Sequence, residues 1–248
     1  MNNEQKKGSQ TAKDGFQNEK DIVTKFNNWE KDKDAQSWLG IMEYDLAEIE
    51  YVKAVVLSGY KTDVQVQITI KLKEAIDVEN LQVKLVSNLK GFNQIDKRWV
   101  DKYVEMWSIP SDVIKLLKKY TGELNPTIKT PKDPRRTFVN EFSKKNQTVL
   151  LDWLKKNKTL IVNDIIKGRG KFSVEWMLVA QKIEKDARWI LTPINVVLNH
   201  LGNGEILITK QGNIKIGNIT MQRKGGDGGR KTAQMLQFKI NPAELFDI

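Results

Sequence analysis

Two stretches between Tyr60 and Val86 alternate apolar and polar residues. The first reads Tyr-Lys-Thr-Asp-Val-Gln-Val-Gln-Ile-Thr-Ile over 60–70, and the second reads Leu-Gln-Val-Lys-Leu-Val over 81–86. A period of two is the mark of half-buried strands. Val64, Val66, Ile68 and Ile70 fall on one face of the first arm, and Asp63, Gln65, Gln67 and Thr69 on the other. In the second arm Leu81, Val83 and Leu85 oppose Gln82 and Lys84. A polar turn is expected near Glu79 and Asn80. If the arms are neighbours in one sheet, Asp63, Gln82 and Lys84 gather on a scaffold whose other side is core.

An acid, an amide and an ammonium on one rigid surface suit phosphodiester chemistry. Asp63 can hold a hard divalent cation through oxygen, and the Gln82 side-chain carbonyl is a second, uncharged oxygen ligand. Lys84 can orient the attacking water and offset charge growing on the phosphate. A solvated sheet face carrying the same three residues is the bland alternative, and the alternation alone leaves both open.

The charge balance narrows the class. Net charge is +10 over 248 residues. Residues 115–171 hold 15 Lys and Arg against 5 Asp and Glu, so the excess lies in the middle of the chain. A concentrated basic surface suits a polyanion. No stretch approaches eighteen apolar residues, and the polar N-terminus lacks a secretory h-region. The absence of cysteine excludes disulfides, thiolate zinc sites and a cysteine nucleophile, and fits a cytosolic life.

Thr62-Asp63, eighteen residues, then Gln82-Val83-Lys84 resembles the signature of the PD-(D/E)XK nucleases. The wider text is more specific. Lys53–Lys61, Gln82–Asn88, Gly91–Lys97, Gly168-Arg169-Gly170, Gln222–Asp227 and Met235–Ile240 resemble small type II restriction endonucleases of the HinP1I type, from about Thr11 to Ile248. The resemblance implies magnesium-dependent hydrolysis of duplex DNA at a short G-C palindrome, GCGC, leaving 5′ phosphates. It implies a bacterial, cytoplasmic enzyme with a companion DNA methyltransferase, acting as a monomer or weak homodimer. Asp63, Gln82 and the Val83 backbone carbonyl would hold the metal, and Lys84 would position water. Gln82 departs from the usual Asp or Glu and removes one negative ligand. Nucleases of this superfamily often bring an acidic residue of the first helix to the metal; Glu19 is the candidate here, with a solvated helix Glu as the alternative.

The expected fold is α/β: a mixed central sheet flanked by helices, with a C-terminal antiparallel β part. Residues 1–125 would carry the catalytic site, and 126–248 a basic helical and β part for DNA binding, the two making one compact unit. Asp14 is the expected N-cap of the first helix after a mobile terminus, with Gln17 completing the capping signal. Asp32–Trp38 reads as polar linker, and Val52–Leu57 as a central strand turning at Ser58-Gly59. Lys90–Gln94 reads as a loop opening a helix from about Gln94 to Trp107. Trp176–Ile183 is a strand or a buried helix. Pro193 sits in the first turn of a helix, with the lone His200 near its end suited to capping. Ile206–Thr209, Ile214–Met221 and Met235–Ile240 read as an antiparallel meander.

Two loops are the expected DNA readers. Asn93 and Gln94 carry amides that pair with adenine or mixed base edges, and Lys97 can donate to guanine O6 and N7. Phe92 could wedge between base steps or fill the core. The glycine-rich connection after Gln222, with Arg223, Lys224 and Arg230, can hug DNA, or is a solvated hairpin tip. It has neither Walker spacing nor a dinucleotide-loop setting. Two other readings remain: a repair or recombination nuclease on the same core, and a non-catalytic DNA-binding protein in which Gln82 marks a decayed site.

Overall fold

The structure, a computed structural model, describes residues 3–57, 66–183, 186–226 and 229–248. The expected turn at Ser58-Gly59 and the segment with Asp63 and Val64 lie outside the described residues. The chain forms two compact units, each assembled from separated stretches. Residues 6–91, 166–197 and 241–248 make one, the sheet-and-helix unit. Residues 92–165 and 198–240, with 3–5, make the other.

The first unit is built on a mixed five-stranded sheet. Its strands are β1 (Ile49–Val56), β2 (Val66–Leu72), β3 (Ile76–Val86), β5 (Trp176–Ile183) and β6 (Asp186–Pro193), in that spatial order. Only β3 and β5 pair in parallel, with Leu81 opposite Trp176; the other pairs are antiparallel. Helices α1 (Asn3–Asn27) and α2 (Lys33–Ile41) contribute Ile22, Phe26, Ala35, Trp38 and Leu39 to the core. They pack with Val66, Ile68, Ile70, Leu81, Val83 and Leu178, all on one sheet face. The predicted apolar stripe of the first arm is therefore the core stripe.

Several boundaries differ from expectation. Helix α1 starts eleven positions before Asp14, because the stretch before it is rich in good helix formers. Asp14 accepts from Gln10 Nε2 at 2.7 Å, an i,i+4 surface pair rather than a cap. The supposed linker is α2: Asp32 caps it through the amides of Asp34 and Ala35. Ala35, Trp38 and Leu39 form the buried i, i+3, i+4 stripe. Strand β1 is an edge strand, and its odd-numbered side chains Tyr51, Lys53 and Val55 remain partly or fully exposed. The turn expected at Glu79 and Asn80 is at 73–75. Glu79 and Asn80 are strand residues whose polar atoms are satisfied across the fold. Glu79 accepts from Tyr44 Oη and Trp176 Nε1, and Asn80 Nδ2 donates to the carbonyls of Lys171 and Ser173.

The second unit holds an antiparallel sheet and helices. Its strands are β4 (Asn93–Arg98), β10 (Leu236–Ile240), β9 (Ile219–Arg223), β8 (Ile214–Ile216) and β7 (Ile206–Ile208), in spatial order. Helices α3 (Val100–Trp107), α4 (Ser111–Thr121) and α5 (Lys144–Lys156) lie in this unit, as do nearly all of α6 (Lys158–Ile166) and the second half of α7 (Ile194–Gly202). Phe238 of β10 meets Tyr103 and Trp107 edge-on at 5.5 and 6.1 Å between ring centres.

The expected helix from Gln94 is instead a strand followed by α3. β10 offers β4 a full antiparallel partner, and local polarity gave no sign of that distant pairing. The expected strand over Ile214–Met221 is two strands folded at Gly217. Its φ is +56°, and an added Cβ would meet the Asn203 carbonyl at 2.3 Å, so only glycine fits. No described helix is long and apolar enough to cross a membrane.

Candidate active site and DNA-reading surface

Gln82 and Lys84 share one face of β3, the central strand of the first sheet. They lie opposite Met177 and Val179 of β5. The bland alternative of a solvated face does not hold for these two residues. Gln82 is 2% exposed and Lys84 7%, and their neighbours across the ladder, Met177 and Val179, are fully buried. Gln82 Oε1 has no hydrogen-bond partner. A buried acceptor left unpaired costs the desolvation of that group, so it marks a place for a ligand. Val83 points the other way, into the core with Leu81 and Leu178.

Glu19 of α1 is coupled electrostatically to Lys84. It is half-buried, and burial raises its carboxyl above the ordinary Glu value, while the charge of Lys84 pulls it back down. That coupling puts the acid within electrostatic reach of the lysine. The neighbouring Asn18 went unremarked in the sequence, yet it is 2% exposed and neither of its side-chain polar atoms has a partner. Only its place one step from Glu19 on the helix could have flagged it. Asp63 lies outside the described residues. Among the described residues no three or more His, Cys, Asp or Glu gather closely enough to hold a metal. The orphaned Gln82 oxygen and the Glu19 carboxylate are nonetheless hard oxygen donors of the kind a divalent cation takes.

In the second unit the ladder lines up Lys97, Gln237 and Gln222 across β4, β10 and β9. Directly opposed residues of a pleated sheet share a face. This row therefore lies on the side away from Phe238 and its aromatic packing. Gln94 joins it: Gln237 Nε2 donates to Gln94 Oε1 at 2.9 Å. Gln237 is 5% exposed, and its own Oε1 has no partner. Asn93, Gln94 and Lys97 thus stand on a strand, not on a loop and helix. On the core side Asp96 accepts from Tyr103 Oη at 2.9 Å and from Arg98, and burial raises its carboxyl against the pull of Arg98.

Phe92 is 48% exposed, which removes the core alternative. Gln222 and Lys224 are partly exposed, and Arg230 is exposed. Arg223 is tied down: its Nε donates to the Ala233 carbonyl at 3.0 Å, and its side chain is 9% exposed. Asp227 and Gly228, the middle of the glycine-rich connection, lie outside the described residues.

The family model of the R.HinP1I restriction endonuclease matches residues 42–246, which include β3 with Gln82 and Lys84 and the strands of the amide row. The chain belongs to that family. Among solved structures it is similar to restriction endonuclease MspI in complex with its cognate DNA. The TM-score is 0.65 at 16% identity, over 95% of this chain and 92% of that one, a likeness of fold. No curated protein matches the chain. Family and fold make it a restriction endonuclease, a site-specific deoxyribonuclease.

Proposed function

We propose that this R.HinP1I-family endonuclease hydrolyses duplex DNA at GCGC with magnesium, leaving 5′ phosphates. The observation that carries the reading is the buried, unpartnered Gln82 Oε1 two residues from the buried Lys84. Asp63, Gln82 and the Val83 carbonyl would hold the cation, with Glu19 as a further candidate oxygen donor. Bound magnesium supplies Lewis acidity and lowers the pKa of water. Lys84 orients the nucleophilic water in line with the scissile bond and offsets phosphate charge. The neutral Gln82 contributes an oxygen without a second anion, so Asp63 supplies the main negative charge.

Gln94, Lys97 and Gln222 read base edges in the major groove, with Asn93 and Lys224 beside them. Phe92, exposed at the start of this unit, is placed to wedge at a base step. Arg223 and Arg230 contact DNA from the glycine-rich connection. The likeness to an endonuclease solved on its cognate DNA supports duplex DNA as the partner. A companion methyltransferase protects host DNA in the cytoplasm, and the enzyme acts as a monomer or weak homodimer.

Digestion of sequenced plasmid DNA with magnesium, with both ends mapped, tests this. Discrete fragments with 5′ phosphates at every GCGC are expected. Asp63→Asn should bind cognate DNA without metal as tightly as the wild type or more so, and should not cut. Smeared or branch-dependent products would instead favour a repair nuclease. A wild type that binds one short sequence tightly yet fails to cut whatever divalent metal is supplied would be the non-catalytic protein.

A further inference from the structure

The second unit contains a cavity of about 470 Å³ whose lining includes Asp133, Arg135, Arg136, Arg223, Gly225 and Gln234. Its charges do not balance. Asp133 is already engaged by Arg135, which donates from Nε at 2.9 Å, from Nη2 at 3.0 Å and from its backbone amide at 3.0 Å. Those bonds hold the Asp133 carboxyl below its ordinary value. Arg136 and Arg223 reach the same carboxylate only at 3.8 and 3.9 Å, beyond hydrogen-bonding distance.

Both arginines are withdrawn from water, with side chains 15% and 9% exposed. Arg135, by contrast, is 73% exposed. The Arg136 guanidinium lies over the Phe138 ring at 3.9 Å, and its buried Nε has no hydrogen-bond partner. Burial pushes both guanidiniums below the ordinary arginine value, and the charges of Arg135 and Arg136 add to this at Arg223. Two buried cations thus face one carboxylate whose hydrogen bonds go elsewhere. Such a cluster is completed by an anion, and the planar guanidinium fork matches phosphate oxygens.

We propose that this cavity is a phosphate site, filled by one backbone phosphodiester of duplex DNA. Arg136 and Arg223 hold the phosphate, and Asp133 is the resident counter-charge that weakens its entry. This rests on the reading of the protein as a DNA-binding endonuclease. It places Arg223 among the residues that position the duplex rather than those that read bases, and leaves Lys224 as the reader of that pair. Free orthophosphate carries the same chemistry and serves as the probe.

Inorganic phosphate titrated against the whole protein by calorimetry, at constant ionic strength set with chloride, should saturate one site. Arg136→Gln and Arg223→Gln should each weaken it by about tenfold, the loss of one charge-assisted pairing. Asp133→Asn should strengthen it several-fold, a gain that misfolding cannot produce. In a second arm, duplexes carrying single methylphosphonates are bound by wild type and by Arg136→Gln. One position should cost the wild type about tenfold and the variant almost nothing further. The proposal fails if phosphate binding is non-saturable or unchanged in Arg136→Gln and Asp133→Asn. It fails equally if no single methylphosphonate is selectively silent in Arg136→Gln. It also fails if Arg223→Gln relaxes sequence choice while leaving phosphate binding intact. Plasmid cleavage by the wild type, measured separately, bears on the endonuclease reading and not on the cavity.

Discussion

Glu19 and Lys84 carry opposite charges, the acid half-buried and the lysine buried. Burial raises the Glu19 pKa, and the lysine partly offsets that. The carboxyl signal of Glu19, followed by NMR, should therefore titrate above the ordinary Glu range. In Lys84→Ala it should titrate higher still, because the stabilising cation is gone. An unchanged midpoint would separate the two groups. The sign for stability follows: the folded state holds this proton to higher pH than the unfolded chain does. Glu19 therefore favours folding below the ordinary Glu value, and that contribution is lost as pH rises through its raised folded value. The shared strand face of Gln82 and Lys84 was legible in the sequence because the period of two fixes it, whereas their burial was not. Burial depends on β5, nearly a hundred positions away in the chain. Asn18 and Gln237 were illegible for a related reason: a single amide in a helix or strand looks solvated until its neighbours are known.

The strands show where local pattern suffices and where it misleads. β2 was legible because its apolar period of two matches the core face. The start of β3 was missed because its polar residues resemble a turn, although partners on other elements satisfy them. Asn80→Ala should thus cost about 1–3 kcal/mol in a denaturant melt, since it leaves the Lys171 and Ser173 carbonyls and Gln67 without their partner. A change below about 0.5 kcal/mol, the range of ordinary surface substitutions, would show that water replaces those bonds. On the second sheet, β10 places Gln237 beneath the proposed readers. Gln237→Leu removes the donor to Gln94 Oε1. Affinity for the cognate duplex should fall by about tenfold, with random DNA little affected, the pattern of lost base readout. Equal losses on both DNAs would make Gln237 a packing residue instead.

Over the whole molecule the excess charge predicts strong salt dependence. The logarithm of DNA affinity should fall by about 0.9 per logarithm of salt for each phosphate neutralised. Replacing Arg135 and Arg136 together by Ala should flatten that slope by about 1–2 without moving the cut. An unaltered slope would assign both charges to solubility. The concentration of basic residues over 115–171 was legible by counting. The division into two units was not, because each is made of stretches far apart in the chain. That interleaving governs how the protein is born. β3 leaves the ribosome long before β5, its parallel neighbour, and the unit around them also needs residues 241–248. Such long-range pairing is slow and leaves one strand edge open in the meantime. A nascent chain therefore carries Gln82 and Lys84 in an unfinished sheet until β5 has emerged. Synthesis itself delays completion of this unit until residues 241–248 have emerged.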